Sequence, residues 1–310
     1  MDCFKREFKR YKQRQPPPDL SEVIDFAEPE AQAFKKWVFS SRIQISDLEG
    51  ACDMGLRPCK EWCVYDIHGR PGSFAWLAFD FQSLSSLILS SVMVYTIRVS
   101  LCHPWPSLFL YESYSWLVQV TTELRFFFLF SSFQTYSKTR HTEFPPDLGK
   151  LVEFIATALQ FPSFKPEAGI INYYHLDSTL SGHTDHSEFD LTAPLFSLSF
   201  GQSAIFLLGG KTRDQVPLAM YLRSGDIMIM AGDSRLAYHA VPRILAPKKR
   251  TGEAALPACL SRGEEETSAH CSEEIAILEQ YLTTSRINVN VRQVLGPGKE
   301  FPFDDHEGNR

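Results

Sequence analysis

Gly169-Ile-Ile-Asn-Tyr-Tyr174, followed a few residues on by Gly182-His183-Thr184-Asp185-His186, is the stretch on which the reading of this 310-residue chain turns. The first run is strand-like. Residues two apart in an extended strand point to the same face, so His183 and Asp185 can reach one metal ion together. His186 follows Asp185 directly and points away from that pair. A histidine from a distant strand, with His239 as the candidate, completes a set of two imidazoles and one carboxylate. Such a set leaves open positions on a metal, as a non-haem Fe(II) oxygenase requires.

Further along, Arg286-Ile-Asn288-Val-Asn290-Val-Arg292 alternates polar and apolar residues, which places Arg286, Asn288 and Arg292 on one face of a strand. Two guanidiniums looking into one cavity suit a small dicarboxylate, because each can hold a carboxylate through paired charge-assisted hydrogen bonds. Asn172 and Tyr174, two apart just before the metal motif, supply further hydrogen bonds to the same ligand. A metal triad with a dicarboxylate pocket reads as a 2-oxoglutarate-dependent dioxygenase. Taken singly, each histidine is more often a satisfied core residue, and each arginine a solvated strand charge. The order and joint occurrence carry the reading.

Around these motifs the pattern is one of short strands. From residue 169 to 241, Gly201, Gly209-Gly210, Ser224-Gly225-Asp226 and Gly232 mark corners, as in a sandwich or barrel. Ile227-Met-Ile-Met230 is apolar on both faces, as a strand covered on both sides would be. Residues 145–161 carry a helical apolar stripe of Leu148, Leu151, Val152, Ile155 and Leu159. Residues 1–15 read as a basic amphipathic helix stopped by Pro16-Pro-Pro18, with Phe4, Phe8 and Tyr11 at helical spacing. Residues 246–274 read as an exposed insertion, and 273–282 as a short helix before the Arg286 strand. The expected class is α+β with a mainly β core.

Asn172-Tyr-Tyr174, His183-Thr-Asp185, His239 and Arg286-x-Asn288-x-x-x-Arg292 are similar in order and spacing to the AlkB-type Fe(II)/2-oxoglutarate nucleic-acid dioxygenases. The longer strings Ala168-Gly-Ile-Ile-Asn-Tyr-Tyr, Leu176-Asp-Ser-Thr-Leu180, Ser197-Leu-Ser-Phe-Gly-Gln-Ser-Ala-Ile-Phe-Leu-Leu-Gly-Gly210 and Ser224-Gly-Asp-Ile-Met-Ile-Met230 resemble the AlkB homologue 1 branch. The resemblance implies a double-stranded β-helix, the cupin-like jelly-roll, with flanking helices. It implies Fe(II) on His183, Asp185 and His239, and O2 as oxidant. It also implies 2-oxoglutarate with its distal carboxylate on Arg286, its other oxygens ordered by Asn172, Tyr174, Asn288 and Arg292. Arg235 is the candidate for orienting Asp185, and Tyr238 the candidate for facing substrate. The implied reaction is oxidative demethylation of methylated nucleobases in tRNA or DNA: N1-methyladenine, 5-methylcytosine or N6-methyladenine. The implied setting is intracellular, in nucleus or mitochondrion, with cytoplasm left open. The expected layout is an N-terminal extension over 1–81, an atypical segment over 82–136, the dioxygenase domain over 137–296 and a tail over 297–310.

Composition narrows the remaining classes. A hydrophobic share of 44% and a charged share of 22% suit a globular protein with a real core. Seven cysteines, an odd count, suit reduced thiols, and Cys59-x-x-x-Cys63 lacks the second pair a structural zinc site needs. A net charge of −6 excludes indiscriminate nucleic-acid binding, so contact with a polynucleotide requires a local basic face. Two candidates are Lys5, Arg6, Lys9, Arg10, Lys12 and Arg14 at the N-terminus, and Arg243 with Lys248-Lys249-Arg250. A zinc hydrolase of the metallo-β-lactamase type is excluded, because Leu180-Ser-Gly182 stands where its upstream H-x-H would be. Residues 82–136 hold four formal charges (Arg98, Glu112, Glu123, Arg125) and contain no lid sequence of the kind the family uses for nucleotide recognition. That segment reads as a replacement of the lid through alternative splicing or a gene-model error. A membrane span there is disfavoured by Arg98 and the interspersed serines. The competing functional reading is a non-catalytic or uncoupled isoform that keeps the metal core. No protein partner is inferable.

Overall fold

In a computed structural model, the residues described are 2–27, 38–67, 69–70, 144–247 and 280–302, with the backbone of 73–75 and 118–121. Two helices are α1 (Cys3–Lys12) and α2 (Pro146–Ala158). Early strands are β1 (Val38–Ser40), β2 (Tyr65–Ile67), β3 (Ser73–Ala75) and β4 (Val118–Thr121). Eight more follow: β5 (Ala168–Tyr174), β6 (Leu180–His183), β7 (Leu195–Gly201), β8 (Ala204–Leu208), β9 (Leu218–Leu222), β10 (Ile227–Met230), β11 (His239–Ile244) and β12 (Arg286–Arg292).

The strands form one sheet in the order β1-β2-β3-β10-β7-β12-β5-β4 and a second in the order β6-β11-β8-β9. From β5 to β12 the chain passes repeatedly from one sheet to the other, which is the double-stranded β-helix form of the jelly-roll. The fold is therefore α+β with a mainly β core, as expected. Gly201 ends β7 at φ +77°, where the chain leaves one sheet for β8 of the other and where a Cβ would also stand 2.4 Å from the Ser285 carbonyl oxygen, so only glycine turns the chain there.

Alternation along each strand sorts the core into layers. Tyr174, Leu195, Met228 and Met230 of the large sheet meet Ala204, Phe206, Leu208, Met220, Leu222 and Val241 of the small sheet, filling the space between them. The opposite parity of the large sheet packs Ile171, Phe196, Leu198, Ile227, Ile229, Ile287, Val289 and Val291 against the apolar stripe of α2. Met and Ile thus take opposite faces of β10, which explains why that strand carries no polar residue. The small sheet is covered outside by α1, with Phe4 and Tyr11 on Ile205, Leu207, Ala219 and Ala240.

The N-terminal helix is shorter than expected, ending at Lys12, and Asp2 caps it by accepting from Lys5 N at 2.8 Å. Nearly all of the 82–136 segment, most of the 246–274 insertion, the residues before 280 of the expected 273–282 helix and Lys248-Lys249-Arg250 lie outside the described residues. Among the described residues no helix is long and apolar enough to cross a membrane.

Candidate metal centre and carboxylate pocket

The two histidines meet because their strands are neighbours. β6 and β11 pair antiparallel with His183 directly opposite His239, and the ring centroids stand 4.3 Å apart. A register shift against β8 between Ala240 and Arg243 marks a bulge at Pro242, which has no N–H to offer a ladder and is tolerated at such an irregularity. Asp185, two residues beyond the end of β6, turns back so that its Oδ2 lies 3.4 Å from His239 Nε2 and its Oδ1 3.7 Å from His183 Nε2. One ligand atom from each of the three falls within 4.8 Å of the others, and among the described residues this is the one such group.

The protonation of the rings follows from their partners. Nδ1 of His183 faces the Ser181 carbonyl oxygen at 2.9 Å, and Nδ1 of His239 faces that of Ala237 at 3.1 Å. A carbonyl only accepts, so each Nδ1 carries the proton and each Nε2 presents a lone pair to the cluster. Asp185 Oδ2 is buried there without a hydrogen-bond partner. Three electron-rich atoms converging without a proton among them fit a divalent cation. Burial, and then the neighbouring His239, push the His183 imidazole down to about 4, which keeps it in its metal-binding form. Burial works to raise the Asp185 carboxyl, but Arg292 and both imidazoles outweigh it and hold the group well below the usual carboxylate range.

Behind the cluster lies a buried chain of charges. Arg292 reaches Asp185 Oδ1 at 2.7 Å and Glu188 Oε1 at 2.6 Å, and Glu188 Oε2 takes Arg235 Nη2 at 2.8 Å. Arg235 also donates to the Asp185 backbone carbonyl at 2.7 Å and to that of Ala193 at 3.0 Å, tying down the loop that carries the carboxylate. Burial opposes ionisation of Glu188, yet the two guanidiniums prevail and its carboxyl lies below its ordinary value. Glu188 was missed by sequence reasoning, since a lone acid in a polar turn looks like a solvated one. Its spacing of three residues from Asp185, just before Phe189, was the available signal.

Arg286 lies at the other end of β12. Its side chain is fully buried and donates to Leu222 O at 3.2 Å, Gln202 O at 3.3 Å and Ser199 Oγ at 2.7 Å. All three acceptors are neutral, and Nε is buried without a partner. Burial lowers its pKa to about 10, against the opposing influence of Tyr174 and Asp226. A buried cation with no carboxylate at ion-pair distance among the described residues fits an anionic ligand. Tyr174 stands opposite Arg286, and burial raises its phenol pKa. Asn172 donates to Asn288 Oδ1 at 3.5 Å, while Asn288 Nδ2 donates to Ser197 Oγ at 2.8 Å and Leu198 O at 3.0 Å. The structure therefore brings Asn172, Tyr174, Arg286 and Asn288 onto one floor between the sheets. Arg292 shares that floor but is held by two carboxylates.

One candidate is placed elsewhere. Tyr238 was expected to face substrate, but strand alternation turns it away from its neighbour His239. Its ring packs 6.1 Å from Phe4 beneath α1, with the Arg213 guanidinium 5.8 Å above it. His186 is exposed and bonds back to Thr184, outside the cluster. Cys59 is buried and Cys63 exposed, and neither joins a metal-binding group. In the N-terminal helix Arg6 and Arg10 pair with Glu7, and Arg10 also with Glu22. Arg243 anchors to the Gln13 carbonyl oxygen at 3.0 Å.

The profile of the 2OG-Fe(II) oxygenase superfamily matches residues 130–292, a span that includes the cluster and the buried arginine, and the chain belongs to that class. It is 36% identical over 345 residues to the nucleic acid dioxygenase ALKBH1 of Homo sapiens, covering 100% of this chain and 88% of that protein. It is 42% identical over 157 residues to the DNA N(6)-methyladenine demethylase ALKBH1A of Arabidopsis thaliana, covering 50% of this chain and 42% of that protein. The tRNA demethylase abh1 of Schizosaccharomyces pombe is 40% identical over 152 residues, covering 49% of this chain and 44% of its own. Within the superfamily, the chain is a member of the AlkB type, in its ALKBH1 branch.

Proposed function

We propose that this chain is an Fe(II)- and 2-oxoglutarate-dependent dioxygenase that removes methyl groups from nucleobases of tRNA or DNA. The observation that carries the reading is the placing of a converging ligand set and a buried guanidinium along one face of the same sheet. Three lone-pair atoms converge on one point, and among the described residues the Arg286 guanidinium bonds only to neutral acceptors. A divalent iron and a dicarboxylate satisfy both at once.

His183 and His239, through Nε2, and Asp185, through Oδ2, would hold the iron; Arg286 would take the distal carboxylate of 2-oxoglutarate, with Tyr174 beside it. When bound, the iron and its keto-acid partner supply O2-dependent oxidation of a C–H bond, and an oxidised N-methyl group leaves as formaldehyde. The protein's own residues do the rest. Nδ1–H of each histidine stays on a backbone carbonyl and fixes the ring, and Arg292 holds the outer oxygen of Asp185. The apolar walls of Phe206, Met228 and Met230 keep water from the space between the sheets.

The relatives' names support methylated nucleobases as the substrate class, with N1-methyladenine, 5-methylcytosine and N6-methyladenine the marks to test; the setting proposed with them is nucleus or mitochondrion. On duplex DNA the base must leave its stack to reach an iron held between two sheets. The decisive experiment loads the protein anaerobically with Fe(II) and 2-oxoglutarate, then admits O2 with methylated tRNA or DNA, and assays succinate and formaldehyde. Both products are expected on the N-methyl marks, whereas an oxidised 5-methylcytosine keeps its C–C bond and gives succinate alone. Succinate without formaldehyde on every N-methylated polymer would overturn demethylation while leaving the iron core standing, and neither product would overturn both.

A further inference from the structure

We propose that the rim of the metal site carries a nucleotide-binding patch, in which the ring of Phe189 stacks on the base next to the one being oxidised and Lys299 takes a neighbouring phosphate. The inference rests on the function proposed above and adds a contact surface outside the cavity between the sheets. The cluster opens to solvent at His183, whose side chain is 27% exposed against 6% for Asp185 and for His239. The chain that leaves His183 therefore forms the rim. Along it His186 and Phe189 are exposed, while Asp185 and Glu188 turn inward. Phe189 follows Asp185 so closely in sequence that their Cα atoms are at most about 14 Å apart.

An exposed apolar side chain is ordinary by itself. Phe189 differs in place and in rigidity. The other large apolar residues exposed among the described ones are Phe39, on the edge strand β1, and Val216, just before β9. Phe189, the most exposed of the three at 59%, is the one on a loop that carries a metal ligand. That loop is pinned on both sides of the ring. Glu188 is gripped by Arg235 and Arg292, while Asp190 donates its N–H to Val294 O at 2.9 Å and accepts from Thr192 Oγ1 at 2.6 Å. The backbone is thus fixed before a ligand arrives, and little ordering entropy is lost when one stacks there. A nucleobase suits the ring, since every base has a π-face, and a base whose neighbour has left the stack has one face uncovered.

The charge comes from the turn after β12. A Cβ on Gly296 would stand 3.8 Å from Asp190 Oδ2 and 3.9 Å from Lys299 Cγ, which sets the Lys299 stem beside the residue that follows Phe189. Lys299 is exposed and makes no ion pair among the described residues. A ring for a base and an ammonium for a phosphate are what an unpaired strand requires. In a chain of net charge −6 such a contact has to be local.

The test is fluorescence anisotropy of short single-stranded oligonucleotides, DNA and RNA, each with one N1-methyladenine. They are titrated with the full chain loaded with 2-oxoglutarate and Mn(II), a metal that stands in for iron in air. Each probe is also made with an abasic site on one or the other side of the methylated base. Phe189→Ala should weaken binding of the intact probe about five- to hundredfold, the range for one base on an aromatic ring. Phe189→Trp should keep wild-type affinity. The loss in Phe189→Ala should vanish on the probe whose abasic site replaces the stacked base. Lys299→Ala should reduce the slope of log K against log salt by about 0.7, as for one phosphate of a single strand. Unchanged affinity in Phe189→Ala would overturn the stacking role, as would an equal loss on the intact and both abasic probes, which is what a folding defect gives. An unchanged salt slope in Lys299→Ala would overturn the phosphate contact. Failure of the wild type to bind any methylated probe would instead overturn the functional reading.

Discussion

Arg292 and Asp185 meet through Nη2 and Oδ1 at 2.7 Å, and that contact decides which carboxylate oxygen is left for a metal. With Oδ1 engaged, Oδ2 is the oxygen turned toward His239 without a hydrogen bond. Arg292 is in turn held by Glu188, which Arg235 grips from the other side. Removing the carboxylate of Glu188 leaves two buried guanidiniums without their shared anion. Glu188→Ala should cost about 3–5 kcal/mol of stability, the range for breaking a buried pair. It should also weaken Fe(II) binding about 10–100-fold, the usual effect of losing a partner that orients a ligand. Urea unfolding and anaerobic metal titration measure the two, and wild-type metal affinity in a folded Glu188→Ala protein would refute the orienting role.

A second expectation concerns acid. The His183 imidazole, ordinarily near 6.5, is pushed down to about 4 in the fold. The unfolded chain therefore binds a proton between those values that the folded metal-free protein refuses. Stability from this group is complete above about pH 6.5, falls as the pH drops through that value, and stops falling below about pH 4. Melting curves of the metal-free protein from pH 7.5 to 4 should show this decline, and His183→Gln should flatten it. A wild-type curve level across the window would contradict the depressed imidazole.

Arg286 carries a different signature. Replacing it with Met removes a buried cation whose acceptors are all neutral, so the metal-free protein should lose little stability. Binding of 2-oxoglutarate should fall about a hundredfold, since charge-assisted bonds of about 1.5–3 kcal/mol each disappear. Metal affinity without 2-oxoglutarate should hold. Calorimetry on the Mn(II)-loaded variant checks this, and unchanged 2-oxoglutarate affinity would move the anion site away from Arg286.

How far the sequence carried this reading depended on periodicity. Strict alternation in 286–292 and 168–174 placed Asn172, Tyr174, Arg286 and Asn288 on a shared face, and β5 and β12 do pair residue for residue. The turns were legible at Gly201 and Gly225, where the chain changes sheet, and at Gly209-Gly210, where it returns within one sheet, though the double-stranded β-helix form needed the family resemblance. Features that depend on contact between distant segments were not legible. Nothing in Glu188's neighbourhood announces two buried arginines from positions 235 and 292. Tyr238 sits beside His239 in sequence, and adjacency suggested a shared pocket. A strand instead sends neighbours to opposite faces, and the helix that covers Tyr238 comes from the far end of the chain.

That helix reaches the metal strands through one ring. Phe4 lies so close to Gly182 and Gly209 that a Cβ on the first would stand 2.6 Å from Phe4 Cε1, and on the second 2.8 Å from Phe4 Cδ2. Gly182 immediately precedes His183, and Gly209 N donates to the Tyr238 carbonyl at 2.7 Å, one residue before His239. Phe4 is itself anchored by its backbone N–H on Arg213 O at 2.9 Å. Phe4→Ala should therefore cost about 3–5 kcal/mol, as for a fully buried aromatic, and should loosen both histidine strands, lowering metal affinity. Gly182→Ala should cost about 1–3 kcal/mol by overpacking the same spot. Because the two changes share one contact, the double variant Gly182→Ala/Phe4→Ala should be less destabilised than the sum of its singles. Equilibrium unfolding of the four proteins completes the cycle, and strict additivity would mean that the ring and the glycine do not constrain one another.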